Sequence, residues 1–286
     1  MGTPDMGRIG IWSMECRFGD PAQIDEAAAE MDELGYGALW IPGGIDDAVL
    51  GDVDRLLGVT RRMVIATGIL NIWKHEPADV AAWFLALPEA HRSRVSLGIG
   101  VSHGPIIGEA WEKPLAKTRA FLDGLDAAGM PRENVCVAAL GPKMVALSGE
   151  RSAGAHPYLV TPEHTRRARE ILGPGKLLAP EQGVVLETDR DKSRELAGAG
   201  LGHYRMLPNY RNNWLRLGLS EADIEGMTDT LLDALFARGD VEAIRARLDE
   251  HFAAGADHVC MQVIAGATGG SISEQRVRLR IFASAL

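Results

Sequence analysis

No stretch of this sequence reaches the ~20 consecutive apolar residues that a bilayer-spanning helix needs, and Met1 to Asp5 has no basic start leading into an apolar run. Membrane insertion and secretion are therefore not expected, and a cytoplasmic location is. Cysteine is scarce: Cys16, Cys136 and Cys260 are an odd set in no metal-ligand spacing, each in or just after a strand-like segment, and they read as reduced, buried thiols. The 8 histidines include no H-x-H, H-E-x-x-H or clustered Cys/His pattern, which argues against a bound metal. Positive charge is in deficit: 30 Lys and Arg against 39 Asp and Glu give a formal charge of −9, with no basic cluster long enough to hold a phosphate backbone. Nucleic acid is not an expected partner, and a small molecule is. Repeats, low-complexity tracts and Pro/Gly/Ser-rich linkers are also lacking, so nothing cuts the chain in two.

What is present is 286 residues, 46% hydrophobic and 24% charged, enough for one domain over residues 1–286 if the chain closes an α/β barrel, which commonly takes ~250 residues. Short apolar runs at Arg8–Met14, Ala38–Pro42, Met63–Thr67, Arg94–Ile99, Val135–Leu140, Ala155–Val160, Gly183–Thr188 and His258–Val263 read as strands. Helical patterns lie between most of them. Asp20-Pro21 and Thr161-Pro162 open two helices with a capping side chain followed by proline, and Gly35 and Gly173 close them. Asp189 to Ala254 reads as helical in several pieces, and a last helix is expected from Ser273 to Ala285. Eight runs alternating with helices predict a (β/α)8 TIM barrel with a helical insertion between strands seven and eight that serves as part of the site wall; a doubly wound open sheet is the alternative.

In a barrel the chemistry lies at the C-terminal ends of the strands. Gly100-Val101-Ser102-His103-Gly104 fits the G-x-S-x-G elbow of a serine hydrolase, with Ser102 as nucleophile and His251 or His258 as base, but Pro105 and Gly108 follow where a helix should begin at once. Gly266-Ala267-Thr268-Gly269-Gly270 follows the eighth run, where barrels often hold phosphate on backbone N–H groups, and reads equally well as a turn. Gly173-Pro174-Gly175-Lys176 lacks the spacing of a phosphate loop. His103 and His156 fall on the presumed catalytic rim, a position suited to proton transfer near neutral pH. Trp12, Trp40 and Trp73 fall at early strand ends and together suggest an apolar wall for a planar heterocycle.

Several segments resemble the luciferase-like monooxygenase superfamily, in particular its branch that uses the deazaflavin coenzyme F420. They are Leu34-Gly35-Tyr36-Gly37-Ala38-Leu39-Trp40-Ile41-Pro42, Ala66-Thr67-Gly68-Ile69-Leu70, Val95 to His103, Ala138-Ala139-Leu140-Gly141-Pro142 and Gly154-Ala155-His156-Pro157-Tyr158. The resemblance runs nearly end to end. It implies a bacterial luciferase-like barrel that binds a flat tricyclic cofactor at its mouth, with a non-proline cis peptide at Gly68-Ile69 behind the central ring. It further implies cofactor contacts from Gly68, Ile69, Asn71, Gly100, Val101, Ser102, Ala139, Leu140, Gly141, Pro142 and His156, with His103 as the proton carrier. Hydride transfer between coenzyme F420 and a small organic substrate is the implied activity, in what is commonly a homodimer. An FMN-dependent monooxygenase is the alternative on the same fold. Gly43 and Gly44 stand where many relatives carry an acidic residue followed by histidine, which keeps a cofactor-binding protein without catalysis in view.

Overall fold

The computed structural model describes residues 2–44, 46–266 and 270–285. Ten strands follow one another: β1 (Ile9–Trp12), β2 (Ala38–Gly43), β3 (Val64–Asn71), β4 (Val95–Gly100), β5 (Val135–Val137), β6 (Gly154–Ala155), β7 (Leu177–Leu178), β8 (Glu181–Leu186), β9 (Phe236–Gly239) and β10 (Val259–Val263). All pairings are parallel, in the order β7-β6-β5-β4-β3-β2-β1-β10-β8-β9. β7 and β8 are two halves of one strand, interrupted at Pro180, which has no N–H to give. On one side, the N–H groups of Leu177, Ala179 and Glu181 donate to the carbonyls of Ala153, Ala155 and Pro157 at 2.9, 2.9 and 2.8 Å. On the other, Asp257 and Cys260 donate to Leu178 and Pro180, both at 3.0 Å. β1 to β6, the joined β7–β8 and β10 therefore close a ring of eight, the expected (β/α)8 barrel, and β9 is added beside the outer half of β8.

Alternation along the strands sorts the core into two layers. Ala38, Trp40, Val64, Ala66, Cys136 and Cys260 pack together inside the barrel, while their neighbours Leu39, Ile41, Ile65, Val135, Val137, Val259 and Met261 join the helices outside. Two of the three cysteines thus fill the barrel interior, and Cys16 lies in the outer layer; all three are free and buried.

Helix starts follow the side chains that can cap them. The Asp20 carboxylate accepts from the Gln23 N–H ahead of Pro21–Glu33, the Thr161 hydroxyl from His164 N–H ahead of Pro162–Leu172, and Ser220 and Asp223 form a reciprocal capping box. Asp20→Ala should cost about 1 kcal/mol in urea unfolding with little change in the slope against denaturant.

Some sequence expectations need correction. The last helix is Ile272–Ala283, capped by Ser271, and a helix at Val49–Val59 had no sequence expectation, although Val49, Val53, Leu56 and Leu57 bury one face of it. The stretch 189–254 is not helical throughout, because Phe236–Gly239 pairs with Gly183–Leu186 as β9; the run Leu231 to Ala237 is apolar enough to read as either state. The Ala155–Val160 strand shrinks to Gly154–Ala155. Pro157 cannot donate to a ladder, and Leu159 at φ 52° turns the chain out of the sheet. Likewise Val135–Leu140 pairs only over Val135–Val137, the chain then turning toward the helix Pro142–Arg151.

Candidate active site

A cavity of about 380 Å³ opens at the C-terminal ends of the strands. One side is built from main chain and small residues: Gly44 after β2, Gly68 and Ile69 in β3, Gly100 to Ser102 after β4, and Ala138 to Gly141 after β5. β3 carries one extra residue here. Its register against β2 passes from Ile41↔Thr67 to Gly43↔Leu70, and against β4 from Ala66↔Ser96 to Leu70↔Ile99. The resulting bulge breaks the pairing and turns Gly68 and Ile69 toward the cavity, and the peptide joining them is cis.

Side chains from below and beside hold this wall in place. Trp12 Nε1–H donates to the Gly68 carbonyl at 3.1 Å. Trp73 and Trp111 both donate to the Val101 carbonyl, at 2.9 and 3.1 Å, which fixes the turn where Ser102 takes φ 52°. His156 stacks on Trp40 with ring centroids 4.1 Å apart, and its Nδ1–H donates to Ala179 at 2.7 Å, leaving Nε2 toward Gly68. Under the β2 end, the buried Arg17 guanidinium donates to the Pro42 carbonyl at 2.6 Å and pairs with Asp46 and, at 3.0 Å, with Asp52.

The other side is aromatic. Tyr158, Tyr204 and Tyr210 lie with centroids 5.1 to 6.4 Å apart, Trp12 stands 5.6 Å from Tyr158, and His103 faces Tyr204 and Tyr210 at 6.2 and 5.6 Å. His203, Tyr204, Asn209 and Tyr210 come from the insertion after β8, which forms a wall of the site as the sequence led one to expect. Burial, reinforced by the neighbouring His203, lowers the His103 imidazole to about 4, so it is neutral at pH 7. Its Nδ1 is buried with no hydrogen-bond partner. Among the described residues, no Asp, Glu, Lys or Arg lines the cavity.

Behind Tyr158 sits a carboxyl that sequence reasoning missed. Glu181, at the start of β8, is 1% exposed; its Oε2 accepts from the Leu159 N–H at 3.0 Å and its Oε1 has no partner. Desolvation raises it to about 8. Trp214 Nε1–H holds the Leu159 carbonyl at 3.1 Å, so this left-handed residue is gripped on both sides while the next hydroxyl, that of Tyr158, donates to Gln262 at 2.7 Å. No motif marks Glu181 in the sequence. The only available signal was an acidic residue within an apolar strand.

Of the residues named from sequence, Gly68, Ile69, Gly100, Val101, Ser102, His103, Ala139, Leu140, Gly141 and His156 converge on this one cavity. Asn71 and Pro142 do not reach its surface. Asn71 is fully buried, its amide donating to the Gly44 carbonyl at 2.9 Å and its Oδ1 accepting from Trp73 N–H at 3.0 Å; Pro142 is the first residue of the helix Pro142–Arg151. Of the three tryptophans, Trp12 alone lines the cavity. Trp40 is in the barrel core and Trp73 braces Val101 from behind. Met144, Trp111 and the insertion tyrosines supply the wall instead. Nothing places a base on Ser102: His251 bonds Thr165 and Gln182 at 2.8 and 3.0 Å, His258 bonds Trp40 and Gly7 at 3.2 and 2.9 Å, and the helix behind Ser102 is only Gly104–Ile107. In the Gly266–Gly270 loop, residues 267–269 lie outside the described residues. Among the described residues no group of three or more His, Cys, Asp or Glu is placed to hold a metal ion, and no helix is long and apolar enough to cross a membrane.

A parallel α/β barrel whose one strand-end cavity joins a glycine-lined face to an aromatic one belongs to the barrels that hold a small molecule at the mouth. Residues 5–173 match the luciferase-like monooxygenase family, and the chain belongs to that family. Its fold is similar to that of an F420-dependent secondary alcohol dehydrogenase in complex with an F420-acetone adduct, at TM-score 0.70 and 16% identity over 96% of this chain and 98% of that one. It is also similar to the coenzyme F420 dependent tetrahydromethanopterin reductase of Methanopyrus kandleri, at TM-score 0.67 and 16% identity over 96% of each chain. The oxygenating constituent of 3,6-diketocamphane monooxygenase of Pseudomonas putida, in complex with FMN, is similar at TM-score 0.66 and 14% identity over 97% of each.

Proposed function

We propose that this chain is an F420-dependent oxidoreductase, one domain over residues 1–286, that moves a hydride between the deazaflavin and a small organic substrate. The reading rests chiefly on a cavity with a glycine-lined face and, lining it from another side, a neutral imidazole that makes no hydrogen bond among the described residues. There is room for a flat group on that face. Gly44 has no atom within 4 Å of where a Cβ would stand, and Gly141 has only the Arg216 guanidinium, at 3.9 Å.

On this reading Gly68 and Ile69 support the ring from the β3 bulge, with Gly100, Val101 and Ser102 beside it and His156 beneath. Ala139, Leu140 and Gly141, at the start of the helix Pro142–Arg151, meet the anionic tail together with Arg216, where a helix N-terminus favours negative charge. When bound, the deazaflavin supplies or accepts a hydride and, unlike a flavin, does little one-electron or oxygen chemistry. His103 hydrogen-bonds the oxygen of the substrate, and the tyrosines exclude water from it. The likeness of the β3 and β5 segments to the F420 branch supports the deazaflavin over FMN.

Titrating the purified protein with each cofactor tests this. Coenzyme F420 should saturate with a dissociation constant on the order of micromolar, with FMN weaker by at least about tenfold. Tight binding of FMN with no binding of F420 would replace the reading by a flavin monooxygenase. Tight F420 binding with no turnover on any substrate of a wide screen would leave a binding protein.

A further inference from the structure

We infer that the substrate side of this cavity takes an uncharged molecule built on a flat ring and carrying carbonyl or hydroxyl oxygen, not a phosphorylated or carboxylated one. The assignment of a substrate side rests on the proposed function; the selection for neutral ligands rests on the wall itself. Tyr158, Tyr204, Tyr210 and Trp12 line the cavity as a cluster of mutually tilted rings with centroids 5.1 to 6.4 Å apart, and Ile106 closes the rim. Faces so disposed gain most from another ring in offset or edge contact.

Polar recognition falls to hydroxyl, amide and imidazole groups, with Asn209, His203 and the Tyr204 and Tyr210 side chains beside His103 and Tyr158. His103 lines the cavity and its ring makes no hydrogen bond among the described residues; Nδ1 is buried, so Nε2 is the nitrogen left to meet a ligand oxygen. The Tyr158 hydroxyl already donates to Gln262 at 2.7 Å, so toward a ligand it can only accept. Carbonyl or hydroxyl oxygen on the ligand is what such groups are equipped to bond.

Formal charge has no counterpart there. Among the described residues no lysine or arginine lines the cavity to meet an anion, and no aspartate or glutamate to meet a cation. The buried carboxyl of Glu181 stands behind the wall with Oε2 spent on Leu159, and burial keeps it protonated near neutral pH. A charged ligand would shed its water for partners that are not there. The Arg216 guanidinium sits at Gly141, by the glycine-lined face, where the cofactor's tail and not the substrate is expected.

Three probes on one ring test this: acetophenone, benzoate and benzylammonium, titrated by calorimetry into the full chain at pH 7, both without cofactor and loaded with F420. Acetophenone should bind at least about tenfold tighter than either ion. Ethylbenzene, which lacks the oxygen, should bind more weakly than acetophenone, and that preference should vanish in His103→Ala. Tyr204→Ala should lose about tenfold in acetophenone affinity; should it not fold, Tyr204→Leu, which keeps an apolar body, reads the same loss. Tighter binding of benzoate or benzylammonium, or a ketone preference that survives His103→Ala, overturns the inference. If neither F420 nor FMN binds, the cofactor reading fails, while the order of the three probes in the cofactor-free cavity still decides this one.

Discussion

His103→Ala is expected to lower turnover by about 10²- to 10⁴-fold while leaving cofactor affinity nearly unchanged. The size of the loss follows from what the side chain contributes. Its ring lines the cavity with Nε2 unbonded to the protein, and a hydrogen bond from it strengthens as charge develops on the reacting oxygen. The cofactor face is made by the β3 bulge, the loop after β5 and the Gly100 to Ser102 backbone, none of which uses the His103 side chain that the substitution removes. Desolvation holds the imidazole at about 4, so it stays neutral from pH 6 to 9 and the rate should show no inflection from it near the usual histidine range. Activity should fall only on approach to pH 4, as the ring takes a proton. Stopped-flow measurement of the hydride step, with cofactor titrations of both proteins, checks the two halves. Normal residual turnover with a large loss of cofactor binding would remove His103 from the chemistry.

The strands and the mouth of the barrel were legible because their signals are local. Alternation of Ala38, Leu39, Trp40 and Ile41 between inner and outer layers, and caps such as Asp20 and Thr161, are written in adjacent residues. The rule that barrel chemistry sits after the strands then brought Gly68, Gly100 to His103 and Ala139 to Gly141 together without any contact being known. What failed was whatever depends on distant partners. Trp40 and Trp73 sit at strand ends as Trp12 does, but whether such a ring meets a ligand or packs inward is decided by His156 and Val101, which lie far away in sequence. β9 is a strand because Gly183–Leu186 offers it a free edge, not because its own residues demand it. Glu181 carries no pattern at all; its setting arises only when Leu159 turns its N–H inward and Trp214 closes over the carbonyl.

Stability against pH should carry the signature of these buried groups, with opposite signs for histidine and glutamate. His156 and His258 are held at about 4 and His251 at about 3, mainly by desolvation, and each is at most 1% exposed. Below the usual histidine pKa of 6.5 the unfolded chain takes protons that the folded chain refuses, so stability is lost as pH falls from 6.5 toward 4. Glu181 works the other way: the folded chain keeps its proton up to about 8 and the unfolded chain gives it up near 4.5, so its contribution is lost as pH rises between those values. Around pH 5.5 these three histidines together with His103, also held at about 4, outweigh one glutamate by about two and a half protons, and unfolding free energy should change by about 3.5 kcal/mol per pH unit, falling with acid. Between pH 7 and 8 the unfolded histidines still hold a fraction of their protons and offset part of the Glu181 term, so unfolding free energy should fall by only about 0.5 kcal/mol as pH rises through that unit. Glu181→Gln, whose amide oxygen can still accept from Leu159, should turn the alkaline fall into a rise of about 0.5 kcal/mol and steepen the acid slope to about 5 kcal/mol per unit. Urea unfolding at half-unit steps from pH 5 to 8 on both proteins measures this. A wild-type profile flat between pH 5 and 6 would mean these histidines titrate as freely folded as unfolded, and identical alkaline slopes in the two proteins would mean Glu181 is already ionised behind the tyrosines at neutral pH.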